Sequence, residues 1–74
     1  MTNKEKMIIG LLAGTQSGHS DVRSAALIAI GNSGMIGDDR LIEALKAGAE
    51  EGNSSVKQAA YTGMGLMLKN SNRQ

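Results

Sequence analysis

The chain has 74 residues and a formal net charge of +1, which fits one small domain spanning residues 1–74. It contains no Cys, which excludes disulfides, thiolate zinc sites and thiol nucleophiles, and suits a reducing compartment, so we expect a cytoplasmic protein. The near-neutral charge provides no electrostatic attraction to nucleic acid or to an acidic membrane.

The first helix is predicted from a capping box formed by Thr2 and Glu5, in which the hydroxyl accepts from the backbone and the carboxylate reaches back. We expect this helix to run to about Gln16 and to stop at Gly18 in a left-handed conformation. Apolar spacing at i, i+3, i+4 and i+7 predicts its buried side. The predicted buried residues are Ile8, Leu11, Leu12 and Thr15.

The segment Lys4-Glu5-Lys6, followed by the apolar residues 7–14, also resembles a short signal peptide. Against that reading, the apolar run is short, Glu5 interrupts the basic residues and no clean cleavage site follows. We therefore interpret the segment as the first helix. No stretch approaches the ~20 apolar residues of a membrane span, and the initial Met1 and polar tail favour a complete product.

The second helix is predicted to begin at Ser20 as its N-cap, with Asp21 in the positive first turn. Its apolar residues surround the helix almost completely, which predicts a central position in the fold. The main predicted stripe is Val22, Ala25, Ala26, Ala29 and Ile30, widened by Leu27 and Ile28. Residues 31–37, which contain three glycines, are predicted to form the following loop.

The third helix is predicted to start at a cap provided by Asp38 or Asp39 and to end at Gly52. It should bury Leu41, Ile42, Leu45 and Ala49 and expose Arg40, Glu43, Lys46 and Glu50, with Glu43 pairing with Lys46. Ser54 or Ser55 is predicted to cap the fourth helix. Its stripe is Val56, Ala59, Ala60, Gly63, Met64, Met67 and Leu68. Residues 70–74 are expected to fray.

An internal repeat relates the two halves of the chain. Residues 7–34 align with residues 41–68 without a gap, and ten of the 28 positions are identical. The identical pairs are Ile8/Ile42, Leu11/Leu45, Ala13/Ala47, Gly14/Gly48, Gly18/Gly52, Ser20/Ser54, Val22/Val56, Ala25/Ala59, Ala26/Ala60 and Gly31/Gly65. We expect two repeats, at about residues 3–34 and 38–69.

The second helix opens with Asp21-Val22-Arg23 and continues through Ala25-Ala26 to Gly31, a pattern that resembles a HEAT repeat, in particular the short repeats of phycobilin-lyase-type proteins. The resemblance covers about residues 4–68. It implies an all-α fold of four helices, as two HEAT-like hairpins in a short right-handed α-solenoid, in which Asp21, Arg23 and Lys57 stabilise the contacts between repeats. Tetratricopeptide repeats share the period but not the aromatic landmarks, and the glycines of Gly63-Met64-Gly65 are also typical of proteasome-type repeats.

The sequence indicates no catalytic, metal or cofactor site. His19 is the only histidine and is expected in a turn, and Asp38-Asp39 is read as helix capping. The glycines of residues 10–14 and 63–65 fall on helices, where they are expected to let backbones approach rather than to cradle phosphates. Arg23, Lys57 and Lys69 are the candidate nucleic-acid contacts, and the basic residues barely outnumber the acidic ones, so this function is the least favoured.

Apolar residues are added at the two ends of the repeat array, where a solenoid normally has polar caps. We therefore predict a non-enzymatic protein–protein interaction module, an adaptor or scaffold that binds itself or a larger repeat protein. The alternative is a small subunit of a larger helical-repeat enzyme of the lyase type. No small-molecule substrate is evident. The candidate interface residues are Ile9, Leu12, Leu66, Met67 and Leu68.

Overall fold

The computed structural model describes residues 1–72, and in this part of the chain it contains four helices and no strand. The helices are α1 (Asn3–Gly14), α2 (Ser20–Ser33), α3 (Asp39–Ala49) and α4 (Ser54–Ser71). They form a compact body of 31 × 26 × 16 Å. The prediction of an all-α domain with four helices is confirmed.

Helix α1 begins as predicted and ends earlier. The Thr2 hydroxyl accepts a hydrogen bond from the Glu5 backbone N–H at 3.1 Å, but the Glu5 carboxylate binds Arg40 on α3 instead of reaching back. The helix stops at Gly14 and not near Gln16, with Thr15 as its C-cap. The predicted left-handed Gly18 is wrong, because the positive φ within residues 1–72 belongs to Gly34, at 65°.

Helix α2 differs from its prediction at both ends. Its N-cap is His19, which makes no side-chain capping bond, and Ser20 is the first helical residue. The predicted loop began too early, since the helix continues to Ser33 and stops at Gly34. The left-handed backbone of Gly34 is accessible to glycine at no steric cost, which explains why the helix ends there.

The buried side of α2 is rotated relative to the predicted stripe. Its buried residues are Ala26, Leu27, Ile30 and Gly31. Three predicted core residues are exposed instead, namely Val22, Ala25 and Ala29. Because α2 is apolar nearly all round, the apolar pattern alone did not decide which side packs inward.

Helix α3 matches its prediction closely. The Asp38 carboxylate caps it by accepting from the Arg40 backbone N–H at 3.0 Å. Leu41 and Leu45 are buried, whereas Ile42 and Ala49 are half-buried. On the solvent side Lys46 lies 3.6 Å from Glu43, as the i, i+3 spacing predicts. The helix ends at Ala49, three residues before Gly52.

Helix α4 is capped by Asn53, whose side-chain oxygen accepts from the N–H groups of Ser55 and Val56. The predicted caps Ser54 and Ser55 lie inside the helix. Most of the predicted stripe is buried or half-buried, whereas Leu68 is exposed. The helix continues to Ser71, so the start of the expected frayed tail is helical, and residues 73–74 lie outside the described residues.

Helix α2 packs against all three other helices, as its broad apolar surface predicts, and its closest contact is with α4. A Cβ atom placed on Gly31 would lie only 2.3 Å from the carbonyl oxygen of Gly63. The two backbones therefore touch where both residues are glycine. Leu27 lies against Gly63 and Gly34 lies against Asn70, so α2 and α4 run in the same direction.

Candidate binding surfaces

A mainly apolar groove of about 460 Å³ lies between α3 and α4. Its open rim comes from side chains one helical turn apart, Ile42 and Lys46 on α3 and Met64 and Leu68 on α4, which the helical repeat places on one side of each helix. Ile36, in the loop before α3, also lines the groove. Leu68 is exposed and Met64 half-buried, so this groove offers accessible apolar surface.

The candidate interface residues do not form one surface. Ile9 and Leu68 are exposed, on α1 and α4 respectively. Leu12 and Leu66 are half-buried, and Leu12 packs against the core. Met67 belongs to the core and is only 2% exposed, so a charge at this position would disrupt folding before it reported on binding. Of the five, Leu68 combines exposure with a place in the groove.

A second apolar surface lies on α1 and α2, and three of its residues, Val22, Ala25 and Ala29, were predicted to be in the core. Met7, Val22, Ala25 and Ala29 are all exposed. The periodicity of α2 predicted Val22, Ala25 and Ala29 to face the core, but it cannot show whether another helix covers them. These residues are exposed, whereas the residues 34 positions later, Leu41, Val56, Ala59 and Gly63, are buried.

Arg23 joins the two inter-helix turns at one edge of the domain. Its guanidinium donates to the carbonyl oxygen of Ser17 at 2.9 Å and lies 3.2 Å from the Glu51 carboxylate. These contacts connect the α1–α2 turn with the α3–α4 turn. Lys57, at the aligned position of α4, is exposed and forms no ion pair among residues 1–72. Asp21 accepts a hydrogen bond from the adjacent Val22 N–H at 2.9 Å.

Arg40 forms the other charged cluster, with Glu5 from α1 and Asp38 from the preceding loop. Its Nη2 atom lies 2.8 Å from Asp38 Oδ2. The hydrogen bonds from Arg40 lower the pKa of both carboxyl groups below their ordinary values, and the same bonds raise the pKa of Arg40. Paired in this way, the cluster stabilises the contact between α1 and α3 rather than offering a free acid.

The remaining polar candidates stay separate in the fold. His19 is exposed in the α1–α2 turn, and its backbone N–H donates to the Ser17 hydroxyl. Within residues 1–72, no group of three or more His, Cys, Asp or Glu residues is placed to hold a metal ion. Lys57 and Lys69 are exposed on α4, whereas Arg23 is held by Glu51 and Ser17.

None of the helices in residues 1–72 is long and apolar enough to cross a membrane. No protein-family model, no curated protein and no solved structure matches this chain. The groove between α3 and α4 and the exposed surface of α1 and α2 are two accessible apolar surfaces of residues 1–72.

Proposed function

We propose that this chain is a non-enzymatic protein–protein interaction module that binds its partner through the groove between α3 and α4. The observation that carries the proposal is the exposure of Leu68, beside half-buried Ile42 and Met64, along one continuous groove. Contiguous exposed apolar surface with a charged rim is typical of interaction sites. Asp39 and Lys46 are the charged residues that line this groove.

We further propose that the domain is built as two HEAT-like repeats. The direction of the helices supports this arrangement, because α2 and α4 run parallel. Their close contacts join residues 32 to 36 positions apart, around the 34-residue offset of the sequence repeat: Gly31 with Gly63, Leu27 with Gly63, and Gly34 with Asn70. Stacked tandem repeats bring equivalent helices together in this way. Because the chain has no cysteine and so suits a reducing compartment, we still expect it in the cytoplasm.

The alternative function, a small subunit of a larger helical-repeat enzyme complex, would use the same groove. It differs only in the protein that fills the groove. A repeat array normally needs at least three units to bury a continuous core, and either another copy of this chain or a larger repeat protein meets that need. The identity of the bound protein separates the two functions.

The test is a comparison of binding by three immobilised proteins in an extract of the cells that produce the chain. They are the wild type, the groove variant Leu68→Glu and the matched control Ala13→Glu, since Ala13 and its repeat partner Ala47 are both exposed helical residues outside the groove. Quantitative mass spectrometry should find a protein that the wild type and the control retain and that Leu68→Glu loses. This protein can be a second copy of the chain. An identical bound set for all three would refute the proposal.

A further inference from the structure

The sequence repeat aligns each residue of α1 and α2 with the residue 34 positions later. The two residues of such a pair often differ sharply in burial. Leu27 is 1% exposed, whereas its partner Tyr61 is 59% exposed. The same change affects four more pairs: the first member is buried and the second is half-buried or exposed. They are Ile8/Ile42, Ile30/Met64, Gly31/Gly65 and Gly34/Leu68.

A second group of pairs differs in the opposite direction. Leu41 is fully buried, whereas its partner Met7 is 65% exposed. Val56 is fully buried, whereas the identical residue Val22 is 43% exposed. Two further pairs follow the same rule, with the residue on α4 buried and the residue on α2 exposed. They are Ala59/Ala25 and Gly63/Ala29.

Both groups have one explanation. Contacts inside a helix pair would bury both members of an aligned pair, so burial found in only one member comes from the other helix pair. The buried members of the first group lie on the side of α1–α2 that packs against α3–α4. The buried members of the second group lie on the side of α3–α4 that packs against α1–α2. The direct contacts of Leu27 and Gly31 with Gly63 lie between these two sides.

The molecule therefore carries an unused copy of each side of its own junction. We give the name rear face to the residues on α3 and α4 that align with the buried members of the first group, of which Ile42 and Met64 are half-buried and the other three are exposed. The rear face consists of Ile42, Tyr61, Met64, Gly65 and Leu68. We give the name front face to the exposed residues on α1 and α2 that align with the buried members of the second group. The front face consists of Met7, Val22, Ala25 and Ala29.

Charges at the rim of the junction follow the same rule. Within the chain, Glu5 of the first helix pair binds Arg40 of the second. The residues at the aligned positions are Asp39, which lies in the groove, and Lys6 on α1. Neither forms an ion pair among residues 1–72. An acid beside the rear face and a base beside the front face repeat the charge complementarity of the internal contact.

The point of closest approach is also repeated, with one difference. Gly31 touches Gly63 inside the chain, and the aligned pair is Gly65 with Ala29. No neighbour lies within 4 Å of a Cβ placed on Gly65, so this site is open. A Cβ on Gly63 would lie 2.6 Å from the Leu27 carbonyl oxygen. The methyl group of Ala29 therefore requires slightly wider helix spacing between copies than within one.

From these correspondences we propose that the rear face of one copy binds the front face of a second copy. The α1–α2 pair of the second copy then lies on α3–α4 of the first, as α3–α4 lies on α1–α2 within the chain. Such a contact joins two different surfaces, so association continues into open chains or closes into a ring. The inference rests on the proposed function and names its partner.

The test uses two variants that each block one face. Ala25→Glu places a carboxylate on the front face, and Gly65→Glu places one on the rear face at a position with free space in the monomer. Each should raise the self-association Kd by roughly 30-fold or more, the effect of losing a strong interface contact. Sedimentation velocity over a wide concentration range measures the Kd, and circular dichroism checks that each variant is folded.

Mixing the two variants provides the decisive measurement. Each keeps one intact face, so an equimolar mixture should form a dimer of one Ala25→Glu and one Gly65→Glu chain, and nothing larger. The control Ala13→Glu, an exposed alanine outside both faces, should associate like the wild type.

A mixture that stays monomeric while the wild type associates would overturn the head-to-tail contact. A wild type that stays monomeric at all concentrations would overturn self-association itself. In that second case, the extract experiment still decides the proposed function, since a different protein retained by the groove would uphold it.

Discussion

Helices α2 and α4 share an aligned sequence and differ in what covers them. Val22 and Val56 are the same residue at the same repeat position, yet Val22 is exposed and Val56 is in the core. Gly31 and Gly65 show the reverse, with the residue on α2 buried. Residue type and helical phase therefore set which residues can be buried, and the neighbouring helix pair decides which of them are.

The largest expected effect comes from placing the same charge at both valines. Val56→Asp buries an unpaired carboxylate in the core, which should cost about 4 kcal/mol or more and unfold a domain of this size. Val22→Asp should change the free energy of unfolding by no more than about 0.5 kcal/mol. Urea unfolding of dilute protein followed by circular dichroism measures both. Equal destabilisation by the two variants would show that Val22 and Val56 do not differ in burial.

Alanine at the two aligned glycines should give effects of opposite sign. Gly31→Ala pushes a methyl group into the backbone of Gly63, which should destabilise the fold by about 1–3 kcal/mol despite the better helix propensity of alanine. Gly65→Ala meets open space and should stabilise α4 by about 0.5–1 kcal/mol. Thermal unfolding of both variants gives the comparison. A stabilised Gly31→Ala would mean that α2 and α4 are not in backbone contact.

The smallest expected effect concerns two aligned basic residues, Arg40 and Lys6. Arg40 lowers the pKa of Glu5 from 4.5 and that of Asp38 from 3.8. Lowered folded-state pKa values contribute stability that is present above those ordinary values and is lost as the pH falls through the lowered ones. Arg40→Gln should therefore weaken the fold at pH 7 and flatten the loss of stability in acid. The effect should be small, because Arg40 itself is exposed to solvent.

Lys6→Gln is the matched control for that measurement. Lys6 occupies the position aligned with Arg40 but forms no ion pair among residues 1–72. In dilute monomer its removal should leave the acid dependence of the urea midpoint as in the wild type. If Arg40→Gln and Lys6→Gln gave the same profile, the carboxyl groups beside Arg40 would not be responsible for the acid dependence.

Much of the fold was predictable because its signals are local. The caps provided by Thr2 and Asp38, and the sided pattern of α3, need only neighbouring residues. The buried side of α2 and the ion pair between Glu5 and Arg40 depend on residues about 35 positions apart, which local periodicity does not report. The same limit applied to the binding surfaces: Leu68 was identified because it adds an apolar residue where the first repeat has Gly34, whereas Val22 looked like core.

Tyr61 gives the rear face an intrinsic optical label. It is the single aromatic residue of the chain, and its side chain lies largely in solvent. Its aligned partner Leu27 is completely covered by the neighbouring helices. A protein that occupies the rear face would move the phenol ring from water into an apolar environment, and the ultraviolet absorption and emission of the whole chain would change with it. Self-association of the chain through the rear face is thus visible spectroscopically without attaching a dye.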